Sequence, residues 1–345
     1  NNFDPRLGLT WSPSALNNKT VIRAGFGAYH GPGQMDDLAS PLDSDVDRYN
    51  LTGSDVPGGL SYPVDRFLGQ AKLQGMTPRM NQRDRRDMYN IQYGLSIQHQ
   101  LPSNFMAQIG YNGSQGHKLF YRRYVNNYLD PISKVRPLPQ FSRFDIRENT
   151  GNSNFHSLQL SLQRRFSRGF LWGTEYLWSH AIHEGSMGGG ESLRPENNLC
   201  RTCERGNSDQ DIRHTITSNW VYEFPFGSGV KGMGGKLMSG WSVSGIWSMR
   251  TGRMLTPSVN RSSGDMYDGN TGDQRPDLVA PIVINKGNPN CYIQSPGNPL
   301  CGSSSAPSPF AVPAKYKWGN AGRSIAVALT DPLYPSRRRR QADTT

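Results

Sequence analysis

The sequence predicts an all-β chain of antiparallel strands long enough to cross a bilayer, and three observations predict it. The first is a pair of alternating runs within Met88–Asn112, MYNIQYGLSIQHQLPSNFMAQIGYN. Tyr89, Ile91, Tyr93, Leu95 and Ile97 share one face, while Asn90, Gln92, Gly94, Ser96 and Gln98 share the other. Period two is the signature of a strand. Phe105, Ala107, Ile109 and Tyr111 repeat the pattern against Met106, Gln108, Gly110 and Asn112. Pro102, Ser103 and Asn104 lie between the runs and supply turn chemistry, so the two fold back as a hairpin. The second observation is that the polar face carries amides and hydroxyls rather than charge, on runs about ten residues long, the length that crosses a bilayer beside a wet lumen. The third is that connections alternate between short and long along the chain.

Taken in order, strand one is Arg6 to Ser12, with Leu7, Leu9 and Trp11 on one face. The turn PSALNNK leads to strand two, Thr20 to Tyr29, where Ile22, Ala24, Phe26 and Ala28 oppose Val21, Arg23, Gly25 and Gly27. Arg23 thus falls on the polar parity, avoiding the ~2–4 kcal/mol that a mid-strand arginine facing lipid costs. His30 to Asp87 reads as a long irregular span before the central hairpin, and Gly113 to Asn154 as a second one after it. Strand five, His156 to Phe166, sets Leu158, Leu160 and Leu162 against Gln159, Ser161 and Gln163, and closes in the tight turn Ser167-Arg168-Gly169. Strand six, Phe170 to Ser179, carries Phe170, Trp172, Tyr176 and Trp178 on its apolar side. Arg164 shares the apolar parity of strand five, but two residues from the turn, where the cost falls to roughly 0–1 kcal/mol.

A third long span, His180 to Gln210, precedes strand seven, Ile212 to Phe224, with Ile216, Trp220, Tyr222 and Phe224 against Thr215, Thr217, Asn219 and Glu223. The Gly-rich connection Pro225 to Gly240 leads to strand eight, Trp241 to Arg250. Thr251 to Gly319 is again long and rich in Pro, Gly and Ser, and Trp318 to Leu329 offers a possible ninth strand. Connections are therefore short after odd strands, the longest being the 16 residues from Pro225 to Gly240, and far longer after even ones. Short periplasmic turns and long extracellular loops sort this way in an antiparallel transmembrane β-barrel, whereas a soluble sandwich has no reason to sort them and rarely tolerates loops beyond ~12–15 residues. A partial outer-membrane barrel is the expected architecture, with a secreted soluble β-protein as the alternative.

Composition is consistent with that reading. The chain has 345 residues, 35% of them hydrophobic, with 38 Gly and 24 Pro. No stretch holds the ~18 consecutive apolar residues of a membrane-crossing helix, and a barrel needs none, because only every second residue faces lipid. Its 15 Tyr, 13 Phe and 7 Trp suit interfacial girdles. The net charge of +11 raises the question of nucleic acid. Apart from Arg337 to Arg340 the basic residues are scattered, and no RNA- or DNA-binding motif accompanies them. Contact with outer-membrane lipid and anionic lipopolysaccharide is expected instead, and no nucleic acid. The chain opens at Asn1 without a methionine or a signal peptide, and is expected to be a fragment whose export signal lies upstream.

With the strands placed, several stretches resemble the TonB-dependent outer-membrane transporter family, in particular the C-terminal barrel of its Oar-like branch. They are NFDPRLGLTWSP (Asn2 to Pro13), NSNFHSLQLSLQRRFSRGF (Asn152 to Phe170), ERGNSDQDIRH (Glu204 to His214), NWVYEFPFG (Asn219 to Gly227), GWSVSGIWSMRTGR (Gly240 to Arg253) and WGNAGR (Trp318 to Arg323). Each is a weak motif, and their order and spacing carry the likeness. The resemblance implies a barrel of about 22 strands around a plug, driven by TonB contact with that plug. Neither plug nor TonB-contacting segment stands in this sequence, so residues 1–323 are expected to be the C-terminal part of such a barrel. Residues 324–345, SIAVALTDPLYPSRRRRQADTT, depart from the family, which ends in further strands and an aromatic residue. Truncation or a frame change is the expectation for this atypical basic tail, and downstream DNA holding no lost strands in any frame would refute it.

Candidate sites are few. Cys200 and Cys203 form a CxxC in one predicted extracellular loop, and Cys291 and Cys301 stand in another. Two local disulfides are the simpler reading outside the cell, against a tetrathiolate zinc site whose second pair is too widely spaced; four cysteines allow three connectivities. His180, His183 and His214, with Glu184, Asp209 and Asp211, fall near the extracellular ends of strands six and seven. A metal or substrate contact there competes with the plainer reading of polar residues on a wet rim, since no HxxH or HExxH spacing occurs. His156 and Ser157 are adjacent on one strand and point to opposite faces, and no GxSxG is present, so neither an enzyme nor a cofactor is expected. Gln92, Gln98, Gln108, Asn112, Gln159, Gln163, Thr217, Asn219 and Ser244 form a neutral lumenal set. They suit a carbohydrate or peptide, and equally water or a plug surface, so no single binding residue stands out. The expected function is energised uptake of a bulky nutrient such as an oligosaccharide, peptide or metal chelate, and the alternative is a structural or adhesive barrel.

Overall fold

The computed structural model describes residues 2–31, 48–50, 56–59, 61–70, 72–74, 78–185, 195–226, 240–268, 274–282 and 308–327. Its main sheet is built from β1 (Arg6–Trp11), β2 (Thr20–Gly31), β3 (Met88–Gln100), β4 (Phe105–Val125), β5 (Phe144–Ser167), β6 (Phe170–His183), β7 (His214–Glu223) and β8 (Ser242–Arg250). Each strand pairs antiparallel with the next in sequence, in the simple order β1 to β8. Two short strands join it: Arg79–Asn81 runs parallel to β5, and Gly206–Asn207 antiparallel to β6. Among the described residues the helices are short 3-10 turns only.

The register carries one parity across the whole sheet. Ile22 faces Ile97, Ile97 faces Ile109, and Ile109 faces Leu160, which faces Tyr176 and through it Ile216 and Met249. Slipping any strand by one residue would drop its apolar set onto the polar side, so the alternation itself fixes the pairing. This continuous apolar face is left open: Leu9 is 62% exposed, Leu95 49% and Trp247 52%. A water-soluble domain rarely exposes an apolar patch beyond a few hundred Å², whereas a lipid-facing wall must.

The tight connections follow from their residues. The two-residue turn between β5 and β6 places Arg168 and Gly169 at φ of 51° and 74°, the double left-handed geometry that matches strand twist. Ser103 and Asn104, at 59° and 64°, turn β3 into β4. Glycine also makes room on the faces. A Cβ at Gly245 would stand 2.6 Å from the Trp220 indole, which lies over that glycine and covers the backbone it leaves bare.

The span from Gly113 to Asn154 differs from its expected irregularity. β4 continues to Val125 and β5 begins at Phe144, so their hairpin is paired far beyond the alternating stretch. A bulge between Gly116 and Phe120, with Lys118 at φ 52°, switches the parity there and hides the period-two signal. Similarly, β6 continues through His183. The possible ninth strand does not join the sheet: within it Ala326–Val327 alone is paired, with Met254–Leu255, and residues 328 and 329 lie outside the described residues.

Buried hydrophobic side chains gather at the loop end rather than along the strands. Phe120, Tyr121, Tyr124 and Phe144 from the tops of β4 and β5 are buried, as are Met254, Met266 and Ala321 from the loops. The chain therefore has a lipid-facing wall and, at one rim, a packed cap.

Candidate functional site

Two surfaces carry polar groups with a role to fill: the non-lipid face of the wall and the interior of the cap. On the wall, Gln98 stands opposite Gln108, Gln108 opposite Ser161, and Asn112 opposite Ser157. Arg23 donates from Nη1 to Gln98 Oε1 at 2.8 Å, so the one mid-strand arginine of β2 is held on this face as its parity requires. Trp172 Nε1 donates to Ser218 Oγ at 3.1 Å on the opposite, lipid-facing parity, where an unsatisfied N–H would be costly. Arg164, near the turn, lies over the Phe105 and Phe170 rings at 5.8 and 5.3 Å, an amphipathic setting for a cation at the edge of the apolar band.

Above the opposite ends of the strands, the cap closes around four charged side chains from three separate loop stretches. Arg275 donates from Nη1 to Glu204 Oε2 at 2.7 Å and from Nη2 to Glu196 Oε2 at 2.9 Å. The amides of Arg275 and Gly319 donate to Glu196 Oε1 at 3.0 and 3.2 Å, and Arg323 Nη1 donates to the Glu204 carbonyl at 3.0 Å. Glu196 and Glu204 are 2% and 3% exposed. Burial raises the Glu196 carboxyl above its ordinary pKa despite Arg275, and burial lowers Arg323 below the usual guanidinium value. The interlock continues down to the wall, where Asn198 accepts from the Tyr124 amide at 2.9 Å and donates to Asp268 at 2.9 Å. Arg122 and Asp145 pair across β4 and β5 at 2.7 Å, both buried.

Glu204 and Arg323 belong to ERGNSDQDIRH and WGNAGR, stretches far apart in sequence that the cap brings into one cluster. Glu196 and Arg275 carried no signal in periodicity or spacing. Charged residues in irregular loops read as solvated until the loops are seen to pack over them.

The histidine and carboxylate group at the ends of β6 and β7 is divided rather than convergent. His180 Nδ1 lies 3.2 Å from Asp211, His183 Nε2 lies 3.6 Å from Asp209, and Asp211 also pairs with Arg213 at 2.7 Å. His214 Nδ1 meets the Tyr176 hydroxyl at 2.8 Å. Among the described residues, no group of three or more His, Cys, Asp or Glu side chains is placed to hold a metal ion. Three of these residues also depart from the wet-rim expectation: His183, Glu184 and Asp211 are 1%, 6% and 1% exposed, because the cap covers them. His156 and Ser157 have separate partners, the Tyr111 hydroxyl at 2.7 Å and the Asn112 carbonyl at 3.4 Å. Cys200 and Cys203 are joined by a disulfide beside the 3-10 turn Arg201–Glu204. Cys291 and Cys301 lie outside the described residues.

Comparison with known proteins fits this architecture. The outer membrane beta barrel domain matches residues 1–332. No curated protein matches the chain. Among solved structures, the outer membrane transporter YddB from Escherichia coli is similar over 76% of this chain and 30% of its own, at 13% identity and a TM-score of 0.49. The FrpB iron transporter from Neisseria meningitidis (F3-3 variant) is similar over 65% of this chain and 25% of its own, at 12% identity and a TM-score of 0.33. The chain thus spans under a third of the length of either structure. An antiparallel wall with an open apolar face, three short turns at one rim and packed loops at the other places the protein in the outer membrane, and the chain belongs to the outer membrane beta barrel domain family.

Proposed function

We propose that this chain is the C-terminal part of the barrel of a TonB-dependent transporter of the Oar-like branch, taking a bulky nutrient such as an oligosaccharide, peptide or metal chelate across the outer membrane. The observation that carries the reading is the open wall. β1 and β8 each have a single neighbour among the described residues, so each leaves a row of backbone N–H and C=O groups without a strand partner. A bilayer accepts no such edge, since each unsatisfied group costs several kcal/mol in hydrocarbon. In this reading further strands close the barrel, and a wide barrel leaves a lumen that a plug can fill. The wall facing that lumen is mostly amide and hydroxyl, suited to a hydrated neutral cargo and to a plug that slides. In this reading the ligand binds at the extracellular loops, TonB acting on the plug opens the path, and the segment performs no covalent chemistry and needs no cofactor. Lipid and lipopolysaccharide surround the apolar face.

The test uses the full-length protein in planar bilayers, together with binding to the periplasmic domain of TonB. A silent bilayer with TonB binding is the expected result. A steady open conductance would replace the transporter with a passive pore, and a silent bilayer without TonB binding would leave an adhesive or structural barrel.

A further inference from the structure

Histidine is distributed unevenly over the two faces of the wall. Of seven histidines, six stand on the lipid-facing parity, and five of those, His30, His117, His156, His180 and His214, lie toward the loop end. They are not level with one another along the hydrogen-bonded rows. The row through His214 passes Trp178, Leu158, Tyr111 and Leu95 and reaches β2 at Ala24, six residues short of His30. The row through His180 and His156 reaches β2 at Phe26, four residues short, and His117 is on the row of His30 itself through Tyr89.

This obliquity has a simple measure. Six residues are about 20 Å along a strand, and the five steps from β2 to β7 are about 24 Å across the sheet, which gives a slope of about 40°. Strands of outer-membrane barrels tilt by ~35–45°. A line that climbs the sheet at this angle is level with the membrane; His30, His156, His180 and His214 follow it, and His117, two strands along the row of His30, stands about 6 Å above it, on the headgroup side. The opposite, aromatic edge lies eight to twelve residues away: Phe105 is twelve residues from His117, Phe166 ten from His156, Phe170 ten from His180, and Tyr222 eight from His214. Ten residues along a strand tilted by ~40° rise about 26 Å, close to the ~25 Å apolar band of such barrels.

The rings are held in ways that suit a boundary. Tyr89 stacks on His117 with centroids 5.0 Å apart and packs at a tilt on His30 at 5.1 Å, and Lys118, turned out by the bulge, lies 5.4 Å from the Tyr89 ring. The Tyr111 hydroxyl meets His156 Nδ1 at 2.7 Å, the Tyr176 hydroxyl meets His214 Nδ1 at 2.8 Å, and Asp4 meets His30 Nδ1 at 2.6 Å. An imidazole has apolar ring faces and a polar edge, and so fills the place that tryptophan and tyrosine take in interfacial girdles.

We propose that this oblique histidine belt is the surface by which the barrel meets the headgroup layer of the outer leaflet, and that it fixes the depth of the wall in the bilayer. The upper parts of β4 and β5 and the whole cap then stand outside the membrane. The test is a depth measurement on the full-length protein in phosphatidylcholine vesicles, with nitroxide labels at Ala24→Cys or Leu158→Cys read by oxygen against a water-soluble relaxant. Both positions share the row of His214, but Leu158 is two residues below its belt histidine and Ala24 is six below. The expected depths are about 5 Å and about 16 Å beneath the headgroups at a tilt of ~40°. Equal depths, or a deeper Leu158, would overturn the belt. Changing all five belt histidines to leucine should draw the Leu158 label several Å deeper. An unmoved label would mean that the belt does not set the level, which overturns the anchoring.

Discussion

Leu160 offers the sharpest test of which face meets lipid. It sits on β5 between Ile109 and Tyr176 in register, 39% exposed on the apolar face. Four residues separate it from His156 and six from Phe166, so it stands near the middle of the band. An arginine at the midplane of a barrel wall costs ~2–4 kcal/mol, against ~0–1 near an interface. Leu160→Arg should therefore lower the folding equilibrium constant by about 30- to 1,000-fold, at ~1.4 kcal/mol per factor of ten. Gln159→Arg, one residue away on the opposite face, should cost under about 1 kcal/mol, because its guanidinium reaches water in the lumen. Guanidinium titration of the full-length protein in phospholipid vesicles, with the heat-modifiable gel shift marking folded barrel, measures both. Equal losses for the two variants would refute the assignment of faces, and so would a harmless Leu160→Arg.

Other expectations concern the cap, the disulfide and the glycine sites. Glu204→Gln removes the carboxylate that pairs with Arg275 and accepts from the Glu196 and Asn197 amides, and breaking a buried pair costs ~3–5 kcal/mol; hydrogen exchange should rise in residues 195–205 and 274–278 while the gel shift stays unchanged. Glu196 has its pKa raised by burial, so the folded cap binds its proton more tightly than the unfolded chain. Its contribution is full below the unfolded value and is lost as pH rises through the folded one, so Glu196→Gln should flatten the pH dependence of cap protection across that window. The Cys200–Cys203 bond closes a very short loop, and in the chain-entropy model its reduction costs only about 2 kcal/mol; a reductant should loosen exchange locally and leave the barrel intact. Gly245→Val should displace the Trp220 indole at a cost of ~1–3 kcal/mol, read as a shift in tryptophan emission.

The wall was legible in the sequence because hydrocarbon on one side and water on the other impose period two. Each of β1 to β8 matches a strand read from alternation, with most ends within two residues and the large extensions confined to the loop ends of β4, β5 and β6. The pairing order followed from short turns such as Arg168-Gly169. Where the chain rises out of lipid the rule lapses. The upper parts of β4 and β5 carry Arg122, Arg123, Arg147 and Glu148 in paired strands that alternation does not reveal, with a bulge at Lys118 shifting the phase. The cap lay further from sight. Its central cluster joins Glu196, Glu204, Arg275 and Arg323 across more than a hundred residues, and such contacts are set by how loops fold over a rim rather than by local periodicity. The sequence by itself determined the faces and order of the wall, since every second residue reports its solvent. Only the tertiary structure decided which loop charges are buried together, and only the register between strands set the scattered histidines along one oblique edge of the apolar face.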